Sequence, residues 1–205
     1  MKRLIFATGN HDKIREAAEI LGDGYVIWTP EMYGITEEIP ETGDTLRKNS
    51  IQKAMYVHER AGMDCFADDT GLEVNVLNGA PGVNTARYAG PWHDSAANMA
   101  KLLKEMEGKT DRRACFRTVV TLYMDKGLYT FEGEVKGRIG FTQHGHGGFG
   151  YDPVFIPDEI PDEKGRTARN VRDITMAELS EEQKNLISHR GKALRAMADF
   201  LRTLQ

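Results

Sequence analysis

Two adjacent carboxylates, Asp68-Asp69 in Asp68-Asp69-Thr70-Gly71, directly follow the apolar run Cys65-Phe66-Ala67. Like charges side by side at the end of a buried strand repel unless a cation compensates. Such a pair suits Mg²⁺, a hard ion that takes one or two protein carboxylates together with water and phosphate oxygens and lowers the pKa of a bound water. A carboxylate left out of the metal's shell can then act as general base toward that water. Glu37, Glu38 and Glu41 add acid in one loop; Glu37 and Glu38 read as solvated loop residues.

Three further groups carry chemistry. Thr8-Gly9-Asn10-His11-Asp12-Lys13 lies between a strand-like run and a helix-like one, where unpaired helix N–H groups, a bare glycine and a lysine can take a phosphate. An ordinary helix cap by Asn10 or Asp12 fits the same residues. Lys184, His189 and Arg190 supply a cation, a switchable ring and a planar fork of donors, suited to phosphate oxygens or a base carbonyl, or simply to a charged helix surface. Gly147-Gly148-Phe149-Gly150-Tyr151-Asp152-Pro153 sets two aromatic faces and a carboxylate on a backbone left bare by glycine, as if to hold a flat ring. The overlapping Gly145-x-Gly147-x-x-Gly150 spacing is not a dinucleotide fingerprint, because that motif must open a helix and Asp152-Pro153 closes one off. His144 and His146 read as loop histidines, since no cysteine or further histidine completes a zinc set.

The elements that must position these groups alternate along the chain. Leu4–Ala7 reads as a buried strand. Ile14, Ala17, Ala18 and Leu21 fall at helical spacing before Gly22 and Gly24, and Tyr25–Trp28 is the next strand. Ile51, Ala54, Met55 and His58 mark a second helix, Cys65–Ala67 a strand, and Ala96, Met99, Ala100 and Leu103 a third helix. From Ala114 to Tyr123 and from Leu128 to Ile139 the composition is that of strands joined by the turn Asp125-Lys126-Gly127. Val154–Ile156 is apolar, and Pro157 to Arg172, dense in charge and proline, reads as an exposed loop. Ser180 with Gln183 fits a capping box, Ser188 is positioned to cap the last helix, and that helix buries Leu194, Met197, Ala198 and Leu201 on one face.

The 205 residues carry a net charge of −4, against the strongly basic surface of a nucleic-acid coat. No run approaches the roughly 20 apolar residues of a membrane span, and Met1-Lys2-Arg3 leads straight into a strand rather than a signal peptide. Cys65 and Cys115 read as small buried side chains of a reducing compartment. A cytoplasmic protein with no linker or internal repeat, one domain over residues 1–205, is the expectation.

Thr8-Gly9-Asn10-x-x-Lys13, Glu41-Thr42-Gly43 followed by Asn49 and Lys53-Ala54, Ala67-Asp68-Asp69-Thr70-Gly71-Leu72, Gly79-Ala80-Pro81-Gly82-Val83, Ala86-Arg87-Tyr88, Gly148–Pro153, Met176-Ala177-Glu178-Leu179 and Ser188-His189-Arg190 follow one another in the chain. In that order they resemble the inosine/xanthosine triphosphate pyrophosphatases, the Ham1-like house-cleaning enzymes, over nearly the whole length. The resemblance implies an α/β fold of two lobes around a long mixed sheet with flanking helices, an active-site cleft between the lobes, a homodimer, and hydrolysis of a nucleoside triphosphate to monophosphate and pyrophosphate with Mg²⁺ or Mn²⁺. It implies that Thr8, Gly9, Asn10, His11, Asp12, Lys13 and Lys53 contact phosphates, and that Asp69 is general base and metal ligand with Glu41 and Asp68 in support. Thr70 would touch substrate. Phe149, Gly150, Tyr151 and Asp152 would hold base and sugar, and Lys184, His189 and Arg190 would complete the pocket and read a 6-keto group. The chain departs from the family pattern at Pro40, where relatives carry another acid, at Arg47-Lys48, and in a longer segment from Pro157 to Ile174. A nucleotide-binding module without hydrolysis, and a pyrophosphatase for other modified nucleotides, are the rival readings.

Overall fold

The computed structural model describes residues 1–124 and 127–204, without the side chain of Asp12. Asp125 and Lys126 of the expected turn and the Asp12 side chain therefore lie outside the described residues. The chain forms two compact units, each assembled from separated segments: Met1–Thr70, Thr118–Gly133 and His189–Gln205 in the first, Gly71–Arg117 and Glu134–Ser188 in the second. The strands make a six-stranded mixed sheet in the order β2-β1-β3-β4-β5-β6, formed by β1 (Lys2–Phe6), β2 (Tyr25–Trp28), β3 (Cys65–Val74), β4 (Arg113–Met124), β5 (Gly127–Ile139) and β6 (Phe155–Pro157). β1 runs parallel to both β2 and β3, and β6 antiparallel to β5.

In the first unit both faces of the sheet are covered, which is why its strands read as continuous apolar runs. Side chains alternate along a strand. Leu4, Phe6 and Phe66 join α1 (His11–Leu21) and α5 (His189–Thr203) in one cluster, through Ala17, Leu21, Leu194, Met197 and Leu201. The intervening Ile5, Ala7, Cys65 and Ala67 join Ala54 and Val57 of α2 (Leu46–Ala61) in the other. Stacked rings of Phe6 and Phe66, with centroids 4.3 Å apart, fill the first layer, each burial being worth about 1.5–3 kcal/mol.

The second unit closes around Leu72, Val74, Phe116, Val135, Ile139 and Phe155 with Met99 and Leu102 of α3 (Ser95–Glu105) and Ile187 of α4 (Glu181–Ile187). The capping box at Ser180 and Gln183 is present. Three expectations need correction. β3 does not end at Ala67 but continues to Val74, so Asp68 and Asp69 are mid-strand; the carboxylates are tolerated there because each faces cations. The segment Pro157–Arg172 is not a plain loop: β7 (Glu159–Pro161) and β8 (Thr167–Arg169) pair antiparallel, their turn set by Asp162, whose carboxylate accepts the N–H groups of Lys164 and Arg166. Cys115 is only partly buried, unlike Cys65, because its strand position faces Glu134 and not the core.

Candidate active site

Alternation in β3 sends its two aspartates to opposite faces. Asp69 turns toward α2, whose buried stripe is Leu46, Asn49, Ser50, Lys53, Ala54 and Val57. Half of that stripe is polar, so apolar spacing alone locates this face of the helix poorly, and Met55 of the expected apolar set is in fact exposed. Asn49 Nδ2 donates to Asp69 Oδ2 at 3.1 Å, while its Oδ1 accepts the Gly43 N–H at 2.7 Å, which fixes the amide's orientation. Lys53 Nζ lies 3.4 Å from Asp69 Oδ1 and is also paired with Glu41. Burial lifts the Asp69 carboxyl above its ordinary value; Lys53 pulls it back, Glu41 adds repulsion, and the net shift is upward. Burial works against the Lys53 ammonium, yet Asp69, Asp68 and Glu41 outweigh it and hold it above the usual range. Behind this layer Ser50 Oγ donates to Ala67 O or Thr121 Oγ1, locking α2 to the sheet.

Asp68 and Thr70 face the other way, toward α1 and α5. Both oxygens of Asp68 are engaged, Oδ1 by Lys13 Nζ at 2.9 Å and Oδ2 by Arg190 Nε at 3.0 Å. Arg190 also donates to Glu16 Oε2 at 3.1 Å. Burial by itself would raise the Asp68 carboxyl, but Lys13, Arg190 and Lys53 hold it far below the usual carboxylate range. Lys13 is lowered by burial and by the nearby Arg190 and Lys53, against the pull of Asp68. Thr70, Thr118 and His189 form a hydrogen-bonded file on the same face. α5 starts close enough for His189 to join it because Gly133 of β5 has no side chain: a Cβ there would collide with main-chain atoms of His189 and Ala193.

At the start of α1, Asn10 is the cap: its Oδ1 accepts the Lys13 N–H at 3.1 Å and its own N–H donates to Thr8 Oγ1. The capping alternative is thus realised, and Gly9 and His11 are exposed beside it.

In the second unit, Asp152 Oδ2 accepts the Phe149 N–H at 2.9 Å and pairs with Lys184. The Lys184 ammonium sits 4.7 Å from the centre of the Phe149 ring, which is 67% exposed. Gly148 has positive φ, and a Cβ there would strike the Asp152 carboxylate and Lys184, so only glycine lets this pair form. The expectation of two available aromatic faces is corrected: Tyr151 is 3% exposed, belongs to the core and donates its hydroxyl to Thr85 O at 2.9 Å. It anchors the loop, leaving Phe149 as the free face. Gly150, with positive φ, makes the turn between them.

The residues that sequence reasoning missed are Glu16, Asn49 as a partner of Asp69, and Thr118. Glu16 sits three residues after Lys13 on one helix face, a readable signal; Thr118, a hydroxyl inside Phe116-Arg117-Thr118-Val119-Val120, was another.

For a divalent metal, the donor chemistry on the α2 side fits. Glu41 and Asp69 direct hard oxygen donors at one positive charge, the Lys53 ammonium. Among the described residues no three His, Cys, Asp or Glu side chains form a ready-made cage, which is compatible with an ion that draws most of its ligands from water and phosphate. Asp68 lies on the opposite face with both oxygens bound by cations.

The sequence model of the Ham1 family matches residues 4–200. The chain is 48% identical over 202 residues to a dITP/XTP pyrophosphatase of Porphyromonas gingivalis, covering 98% of each, and 46% identical to one of Flavobacterium johnsoniae, covering 97% of each. Its fold superposes on the Staphylococcus aureus Ham1 protein with a TM-score of 0.87 at 36% identity, over 100% of both chains. A match of this extent in sequence and in fold together leaves one conclusion: the chain belongs to the Ham1 family.

Proposed function

We propose that this protein hydrolyses noncanonical purine nucleoside triphosphates, dITP, ITP and XTP, to the monophosphate and pyrophosphate. The observation that carries the reading is the opposite treatment of two neighbouring aspartates: Asp68 is a fixed anion bound by Lys13 and Arg190, whereas Asp69 is a carboxyl raised toward the range where it can accept a proton. The relatives named as dITP/XTP pyrophosphatases support the substrate class.

In this reading Asp69 takes a proton from the attacking water, Asn49 and Lys53 keep its carboxylate oriented, and Lys13 and Lys53 meet the triphosphate with Thr8, Gly9, Asn10 and His11. Preorganised cations of this kind stabilise the charge that develops on the departing pyrophosphate. Glu41 and Asp69 are the residues that would hold Mg²⁺ or Mn²⁺, which when bound supplies charge neutralisation and a more acidic water. Phe149 offers its face to the base while Asp152 and Lys184 hold the loop, and His189 reads the keto oxygen. Arg190, bound to Asp68 and Glu16, supports the site through Asp68. Adenine is rejected because an amino group leaves a buried donor unpaired. We further take the 205 residues to act as one catalytic domain, in the cytoplasm and as a homodimer. No described helix is long and apolar enough to cross a membrane.

The test is product analysis with Mg²⁺ and, separately, ITP, XTP, dITP, GTP and ATP. Monophosphate plus pyrophosphate from the first three, abolished in Asp69→Asn, is expected. Orthophosphate release would place attack at the γ-phosphorus and overturn the mechanism, and tight binding without turnover would favour the nucleotide-binding module without hydrolysis.

A further inference from the structure

The segment from Glu38 to Gly43 has neither helix nor strand to hold it, yet it carries Glu41, whose carboxylate pairs with Lys53. Pro40 brings no N–H to the chain before Glu41, and the first main-chain donor after Glu41 is the Thr42 amide. That amide donates to Gln52 Oε1 at 2.8 Å. A main-chain N–H can only donate, so the Gln52 side chain has a single orientation: Oε1 faces Thr42 N, and Nε2 donates to Thr42 Oγ1 at 2.9 Å. One residue on, the Gly43 N–H donates to Asn49 Oδ1, and a Cβ on Gly43 would lie 2.8 Å from that oxygen and 2.7 Å from Lys48 Cβ. Asn49, Gln52 and Lys53 fall at i, i+3 and i+4 on α2, so one helix face grips Gly43, Thr42 and Glu41 in turn.

We propose that Gln52 is a positioning residue for Glu41, pinning Thr42 at two atoms so that the neighbouring carboxylate is held toward Lys53 and Asp69. The inference rests on the function proposed above, in which Glu41 and Asp69 hold the divalent ion. Asn49 and Lys53 touch Asp69 and act on it directly. Among the described residues, the side-chain hydrogen bonds of Gln52 all go to Thr42, so what Gln52 does for the site passes through the loop. A loop free to swing must be ordered each time an ion binds, and that ordering opposes binding. Gln52 orders the loop beforehand, so its loss shows in metal affinity and not in the rate once the ion is in place.

Met matches Gln in length and in helix propensity, so Gln52→Met removes the clamp and keeps the helix. Binding of Mn²⁺ to the intact protein saturated with the α,β-methylene analogue of ITP, read by electron paramagnetic resonance, should weaken by about tenfold in this variant, the order of one neutral hydrogen bond. The Mn²⁺ concentration for half-maximal dITP turnover should rise to match, while kcat at saturating Mn²⁺ holds. Thr42→Val should weaken binding in the same direction, and the double variant should be little worse than Gln52→Met, because both remove one contact. Unchanged Mn²⁺ affinity in Gln52→Met beside a weakened Glu41→Gln overturns the proposal, as does an additive double variant or a loss confined to kcat. If Glu41→Gln binds Mn²⁺ as the parent does, the metal role given to Glu41 in the proposed function fails, and the proposal falls with it.

Discussion

At the residue scale, the two aspartates make opposite demands on the fold. A carboxyl held below its unfolded value contributes stability that is present above about pH 4 and lost as pH falls through the folded pKa. That is Asp68. Asp68→Asn removes the carboxylate that faces Lys13 and leaves Arg190 only Glu16, and a loss of about 3–5 kcal/mol at pH 7 is expected, shrinking in acid; urea unfolding at pH 7 and pH 3 measures it. Asp69 has the reverse sign: its carboxyl is raised, so its ionisation costs folding free energy as pH climbs from the unfolded value through the folded one. Asp69→Asn should be as stable as the parent at pH 7 or more so, while turnover falls roughly 10²-fold or more. Greater destabilisation by Asp69→Asn than by Asp68→Asn would contradict both assignments. The cysteines give a second prediction. Burial pushes the Cys65 thiol up to about 12 and the Cys115 thiol up to about 11, so neither should be alkylated by iodoacetamide at pH 7.5 in the native protein, and both should be in denaturant, as read by mass spectrometry. Asp69 and Lys13 could be picked from the sequence because their types state their chemistry, whereas Lys53 came only with the family resemblance. Tyr151 could not be told from Phe149, since an aromatic residue beside glycine looks the same whether its ring is buried or offered.

Elements place these residues through period and close approach. The two-residue repeat of β3 separates Asp68 and Thr70 from Asp69 and decides which helix each meets. Gly133 in β5 decides how near α5 can start. Gly133→Ala inserts a methyl where His189 and Ala193 backbone lies, and about 1–3 kcal/mol of destabilisation is expected from such overpacking, together with a fall in dITP turnover larger than that of Gly24→Ala, whose Cβ meets nothing within 4 Å. Thermal unfolding and initial rates on both variants check this. At α4, Ser180→Ala removes a cap seen on both sides of the box and should cost about 1 kcal/mol. Helix and strand positions were largely legible because periodicity is local. The β7–β8 hairpin was not, because three-residue strands carry too little pattern to stand out from the charged residues around them.

For the whole molecule, the residues of the charged cluster around Asp68 and Asp69 come from Met1–Thr70 and the last helix, two separated stretches held in one unit. A ligand that binds only when both are in place stabilises the entire unit, by about 2.7 kcal/mol at a hundred times its Kd. Thermal unfolding of Asp69→Asn, which should bind without turnover, ought to shift upward by several degrees with dITP and Mg²⁺; an unchanged transition at saturating nucleotide would mean the cluster is not the triphosphate site. The sequence by itself determined the mixed α/β class, the places of the main helices and strands, and a set of acids, cations and a glycine-rich aromatic loop suited to a nucleotide, because composition, period and side-chain type are properties of short stretches. Tertiary structure alone decided that Asp68 would be fixed and Asp69 raised. Lys13 is 55 residues from Asp68 and Arg190 is 122 away, and a carboxylate's proton affinity is set by the burial and charges around it in space, whatever their distance along the chain.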